Sequence, residues 1–134
     1  MPGNGELKGG RVRAQTILVI EDHADTLMAT SRFLANKGYH VLTATSCAHA
    51  RKVVDSFSGC VDVVLGDIGL PDGDGAKLMA EIKALHGCRA VAVTGFGQAS
   101  DLARYRLMNV DECLVKPLNL DALIKALTPD GLNS

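Results

Sequence analysis

Five strand-length runs, separated by stretches of helical period, constrain this chain more than any other feature. Thr16-Ile17-Leu18-Val19-Ile20 is continuous, rich in β-branched residues and without alternation. That is the pattern of a strand buried on both faces. Further runs follow at Tyr39–Ala44, Val61–Gly66, Ala90–Val93 and Glu112–Val115. Between them the period changes. Leu27, Ser31 and Leu34 repeat at helical spacing from Ala24, with Gly38 as the stop after Lys37. Ser46 can cap a helix reaching Phe57, with Ala50, Val54 and Phe57 inward. Leu78, Ile82 and Leu85 form a third stripe. Ser100 can open a fourth helix to Met108, and Asn119 a fifth with Leu123, Ile124 and Leu127 inward. Five strands alternating with five helices imply right-handed βαβ units, hence an α/β fold with a parallel sheet covered on both faces.

The 134 residues suit one domain, and 47% hydrophobic with 22% charged content suits a folded, water-soluble one. Aromatics are only 4%, so aliphatic side chains must build the core. The net charge is -1 with no Lys/Arg run, which gives no electrostatic footprint for direct binding of nucleic acid or a membrane. No apolar run is long enough to cross a bilayer, and the N-terminus has no secretory signal pattern. Cys47, Cys60, Cys88 and Cys113 lack Cys-x-x-Cys or zinc spacing, so they read as buried thiols in a reducing cytoplasm. Residues 1–15 read as a leader or linker, 16–128 as the domain and 129–134 as a short tail.

Polar residues stand where these runs end. Glu21-Asp22 follows the first strand, Asp67 the third, Thr94 the fourth and Lys116-Pro117 the fifth. In a sheet of order 2-1-3-4-5 those four strands are neighbours, and their C-terminal ends open onto one crevice. Three carboxylates in one pocket repel one another and favour either a proton or a cation. Carboxylates, a backbone carbonyl and waters describe a Mg²⁺ site. A lysine and a hydroxyl beside it suit a phosphoryl group, so the implied chemistry is phosphoryl transfer onto Asp67.

The chain resembles the receiver (response-regulator) domains of two-component phosphorelays. The resemblance runs from Thr16 to about Leu127. It rests on Ile17-Leu18-Val19-Ile20-Glu21-Asp22, on Asp67 with Leu70-Pro71-Asp72-Gly73-Asp74-Gly75, on Val93-Thr94-Gly95 and on Leu114-Val115-Lys116-Pro117-Leu118. It implies a flavodoxin-like, doubly wound, five-stranded parallel sheet of order 2-1-3-4-5 with five helices. It implies Asp67 as phosphoacceptor, with Mg²⁺ on Asp22, Asp67 and the Gly69 carbonyl and, mostly through water, on Glu21. Thr94 would report the phosphoryl group and Lys116 would neutralise it, with a cis Lys116–Pro117 bond. The implied partner is a histidine kinase or a histidine phosphotransfer protein, and the implied role is a switch rather than an enzyme. The surface of strand four, helix four and strand five would carry the output.

Two positions depart from the family pattern. Cys113 stands where an aromatic switch residue is common, three before the lysine, so no swinging ring can operate there. Gly69 offers no side chain to shield a phosphoryl group, leaving Phe96 to cover it; these two are expected to set phosphoryl lifetime. With Lys8, Arg11 and Arg13 in the leader, the missing aromatic also points to a receiver attached behind a hybrid sensor kinase. The rival readings are a Mg²⁺-dependent aspartyl-phosphate phosphatase or phosphotransferase, and an interaction domain that needs no phosphorylation. Against the first, Gly69 replaces the expected second acid and there is no cap-sized insertion. Against the second, the whole acidic, hydroxyl and lysine set is present.

Other patterns carry less. Asp72-Gly73-Asp74-Gly75 continues with Lys77 and Lys83 where a calcium loop needs Gly and Glu. Gly95-Phe96-Gly97 lacks the third glycine of a dinucleotide fingerprint. His23 reads as a solvent-facing loop residue.

Overall fold

The structure is a computed structural model that describes residues 14–95 and 109–128. Its strands are β1 (Thr16–Ile20), β2 (His40–Ala44), β3 (Val63–Asp67), β4 (Gly69–Leu70), β5 (Gly73–Asp74), β6 (Arg89–Thr94) and β7 (Glu112–Val115). Its helices are α1 (Ala24–Asn36), α2 (Cys47–Ser56), α3 (Gly75–His86) and α4 (Leu120–Leu127). Five strands pair in parallel in the order β2-β1-β3-β6-β7, the expected 2-1-3-4-5. The helix expected over Ser100–Met108 lies outside the described residues.

Strand periodicity divides the core in two. Leu18, Ile20, Val64, Ala90 and Ala92 face α2 and α3, meeting Ala50, Val54, Leu78, Met79 and Ile82. The alternate residues Ile17, Val19, Val63, Leu65, Val91 and Val93 face α1 and α4, meeting Leu34, Leu123 and Leu127. Side chains pointing alternately to opposite faces, both covered, explain why the runs are apolar without alternation.

Local chemistry starts and stops the helices. Ser46 Oγ accepts the His49 N–H at 3.1 Å at the start of α2. Asp74 Oδ1 accepts the Ala76 N–H at 2.9 Å to open α3, and Asn119 Oδ1 accepts the Ala122 N–H at 3.0 Å to open α4. Gly87 ends α3 in the left-handed region, φ 64°.

Three expectations need correction. Leu85 is not inward: it is 73% exposed. The buried positions of α3 end at Ile82, and half-buried His86 makes the next contact, its Nδ1 accepting the Val61 N–H at 3.2 Å. On α4, Ala126 is buried and Ile124 only half so, because the short helix rests on the sheet through Leu123, Ala126 and Leu127. The four cysteines are free, but Cys60 is exposed in the loop before β3, its Sγ near the carbonyls of Val61 and His86. Cys88 is buried, which pushes its thiol pKa up to about 11.

Asp111 ties the lower edge of the sheet together. Its Oδ2 accepts the Ala90 N–H at 2.8 Å and its Oδ1 accepts from Lys83 Nζ at 2.9 Å. Burial opposes the charge, but the Ala90 and Lys83 bonds outweigh it and hold the carboxyl below the usual aspartate value. A depressed folded-state pKa adds stability above the unfolded value and loses it as pH falls through the folded one. Asp111→Asn is therefore expected to cost about 1–3 kcal/mol at neutral pH. The gap to the parent should narrow below about pH 4. Urea denaturation at both pH values checks this; a gap independent of pH would refute it.

Candidate phosphoacceptor site

Strand register assembles the site. Ile20 pairs with Gly66, so Glu21 and Asp67 emerge side by side. Asp67 pairs with Val93, and Thr94 with Val115, so Thr94 and Lys116 stand at the next two strand ends. Glu21, Asp67 and Thr94 are buried, and Asp22 is exposed.

Lys116 Nζ donates to Asp67 Oδ2 at 2.8 Å and to Glu21 Oε1 at 3.3 Å. Burial alone pulls the ammonium pKa down. The hydrogen bond and charge of Asp67, then those of Glu21, reverse that and leave it above the ordinary lysine value. Lys116 therefore stays charged throughout the neutral range. The other Asp67 oxygen, Oδ1, accepts the Gly69 N–H at 3.1 Å. The Lys116–Pro117 peptide is cis, as the resemblance implies.

His23 is closer to the acids than the sequence suggests. It is exposed, yet its Nδ1 lies 3.1 Å from Glu21 Oε2 and 3.5 Å from Asp22 Oδ1. The Glu21 hydrogen bond, then the charge of Asp22, raises its pKa above the ordinary histidine value. Glu21, Asp22 and His23 offer ligand atoms all within 4.8 Å of one another. Lys116 bonds Asp67 and Glu21, and Asp22 stands beside Glu21 and His23, a donor set rich in oxygen and in negative charge. That chemistry fits a hard divalent cation such as Mg²⁺.

Two supports escaped the sequence reading. Gly75 N–H donates to the Ile68 carbonyl at 2.9 Å, and a Cβ at Gly75 would overlap the Asp67 backbone carbonyl. Only glycine lets α3 start so close beneath the end of β3. Asp72 accepts the Cys47 N–H at 2.8 Å and the Ala48 N–H at 3.0 Å, clamping the Gly69–Asp74 hairpin to the N-terminus of α2. Those two bonds hold its carboxyl below the usual value. The Asp-Gly-Asp-Gly spelling signals a turn; nothing in it names α2 as the partner. Gly69 itself is exposed, with open space where a side chain would go. Cys113 is half-buried against the core on the α2–α3 side. Phe96 lies outside the described residues.

A buried carboxylate, a lysine bonded to it and an acidic group beside both stand at one end of a doubly wound sheet, the arrangement expected of a receiver-type signalling domain. Residues 17–128 match the response regulator receiver domain family, and the chain belongs to it. It is 33% identical over 112 residues to the sensor histidine kinase RcsC of Salmonella typhi, covering 83% of this chain and 12% of that protein. It is 30% identical over 112 residues to the transcriptional regulatory protein GlrR of Escherichia coli (strain K12), covering 83% of this chain and 25% of that one. The chain thus spans a quarter or less of these two relatives.

Solved structures agree on the fold. A two-component response regulator from Clostridium difficile superposes with a TM-score of 0.76 at 29% identity, covering 83% of this chain and 90% of that one. A response regulator protein from Burkholderia pseudomallei, solved with a phosphorylated aspartic acid, calcium ion and citrate, gives 0.77 at 24% identity, covering 85% and 66%. The second likeness speaks to the fold alone. No helix among the described residues is long and apolar enough to cross a membrane.

Proposed function

We propose that Asp67 accepts a phosphoryl group from a phosphohistidine on a histidine kinase or a histidine phosphotransfer protein, and that the domain then switches between two surface states. The observation that carries this is the pair of bonds on the Asp67 carboxylate, Lys116 at 2.8 Å on one oxygen and the Gly69 N–H at 3.1 Å on the other. They hold the Asp67 side chain by both oxygens at a buried strand end. Asp22, Asp67 and the Gly69 carbonyl would hold Mg²⁺ directly and Glu21 mostly through water. When bound, the ion would neutralise phosphoryl oxygens as charge builds there. Lys116 exchanges its bond to Asp67 for one to the transferred group. Thr94, at the adjoining strand end, donates its hydroxyl to that group and so reports its arrival. With Cys113 in place of a ring, the signal passes from Thr94 to the β6–β7 side without a swinging aromatic. Residues 16–128 act as the receiver, between a leader over 1–15 and a tail over 129–134, working in the cytoplasm as a switch that assists its own phosphorylation and dephosphorylation.

Incubation with Mg²⁺ and acetyl phosphate is expected to add one phosphoryl group to the intact mass, and chelation by EDTA to abolish it. No adduct in either condition refutes the reading, and turnover of a phosphomonoester would favour a phosphatase instead. Gly69→Asn has room for its side chain. Placing an amide beside the phosphoryl group is expected to change the dephosphorylation rate at least threefold, on the order of 0.6 kcal/mol in barrier height. An unchanged rate would remove Gly69 as a determinant of lifetime.

A further inference from the structure

Gly69 has no side chain to hold it in place. It is exposed, and a Cβ there would meet nothing within 4 Å. A glycine so placed has the widest choice of backbone directions, so its peptide groups point where its neighbours hold them. Those neighbours form a hairpin of two short strands, β4 and β5, with Gly69 opposite Asp74. A ribbon of that size is not stable by itself. Leu70 pins one strand by burial in the core on the α2–α3 side. The turn between the strands is held by Asp72, whose two carboxylate oxygens both reach out of the hairpin. Oδ1 accepts the Cys47 N–H at 2.8 Å and Oδ2 accepts the Ala48 N–H at 3.0 Å. Both N–H groups belong to the first turn of α2, where no helical carbonyl can serve them and the helix dipole favours an anion. The helix is a firm anchor, because Cys47, Ala50 and Val54 are buried against the sheet. The hairpin backbone also lies close to it: a Cβ at Gly73 would stand 3.2 Å from Cys47 Sγ.

We propose that Asp72 is a positioning residue for the metal ion: by tying the hairpin to α2 it fixes the direction of the Gly69 carbonyl. This rests on the reading of Asp22, Asp67 and that carbonyl as the direct ligands of Mg²⁺. Gly69 is then held from two sides. Asp67 Oδ1 takes its N–H at 3.1 Å, and Asp72 holds the turn beyond it. Mg²⁺ demands near-octahedral ligands at about 2.0–2.1 Å, so a carbonyl free to swing away is a poor ligand. Asp72 acts through the backbone of the hairpin rather than by touching the ion. Groups that orient a ligand in this way are typically worth about ten- to a hundredfold in metal affinity.

Calorimetric titration of the full chain with Mg²⁺ tests this through three variants. Asp72→Ala removes both bonds and is expected to raise the Mg²⁺ Kd about tenfold. Asp72→Asn removes the same negative charge but keeps an oxygen to accept from α2, so its Kd should stay within about threefold of the parent. Ser46→Ala removes a different bond in the first turn of α2, the His49 N–H to Ser46 Oγ at 3.1 Å, and leaves the hairpin tether alone. Its Kd should stay within about twofold of the parent. Amide hydrogen exchange at Gly69, measured without metal, should be at least about fivefold faster in Asp72→Ala and unchanged in Ser46→Ala. Asp72 is exposed, so the variants are expected to fold, and a thermal melt checks this. Equal Kd values for Asp72→Ala and the parent overturn the proposal. So does equal weakening by Asp72→Asn, which would assign the effect to charge alone, or by Ser46→Ala, which would assign it to general loosening of α2. A parent that binds no Mg²⁺ sinks the reading of the metal site itself, and the exchange rate at Gly69 then decides whether Asp72 orders the hairpin.

Discussion

Asp67→Asn is expected to abolish the phosphoryl adduct while leaving the fold intact. The amide has nearly the shape of the carboxylate, so the Gly69 N–H keeps an acceptor at the same place. What disappears is the oxygen proposed to attack phosphorus, and no rearrangement of neighbours supplies it. Glu21 is the nearest acid in the hydrogen-bond network, but its two oxygens are engaged by Lys116 and His23. The parent should approach one phosphoryl group per molecule with Mg²⁺ and acetyl phosphate, and the variant should show none. Because Lys116 keeps Glu21 as a partner at 3.3 Å, the change in stability should stay within about 2 kcal/mol. An adduct on the variant as large as on the parent would move the phosphoacceptor elsewhere.

Lys116→Met tests the counter-charge. Methionine retains an unbranched apolar stem for packing against the cleft and removes only the ammonium. In the resting protein this leaves Asp67 and Glu21 facing one another without the cation that bridges them at 2.8 and 3.3 Å. During transfer it removes a fixed positive donor from the phosphoryl oxygens, a loss that typically lowers rates by about a hundredfold or more. The phosphorylation rate should fall by that factor while Mg²⁺ affinity, measured by calorimetry, stays equal or rises as a competing cation is lost. A rate within threefold of the parent would show that the lysine is a structural tether rather than a participant. Arginine is not a neutral replacement here, because its planar fork cannot occupy the same point between two carboxylates.

Much of this was legible in the residues because burial on two faces leaves a one-dimensional record. Five apolar runs ending in Glu21-Asp22, Asp67, Thr94 and Lys116 are enough to propose a parallel sheet with one chemically loaded edge. Turn and cap chemistry is also local, which is why Ser46, Asn119 and Gly38 stand at the helix boundaries the pattern suggested. Leu85 shows where periodicity misleads. By helical angle it lies almost in line with Leu78, yet it is exposed, and the contact at the end of α3 is made by His86, whose ring bonds the Val61 N–H. His23 shows a different failure: a loop residue's exposure is foreseeable, but not the neighbour its ring turns towards.

The sequence by itself determined the fold family, the strand order through resemblance, and the identity of the residues at the sheet's loaded edge, since each depends on patterns within a few residues. Only the tertiary structure decided that Lys116 bridges Asp67 and Glu21, that Asp72 reaches across to the N-terminus of α2, and that Gly75 must lack a Cβ beneath Asp67. It alone showed that α1 and the loop after β7 leave a cleft open beside Asp67. The reason is physical. These are contacts between segments far apart in the chain, set by strand register and helix packing to within an ångström. Residue order records which groups exist, while packing decides which of them touch.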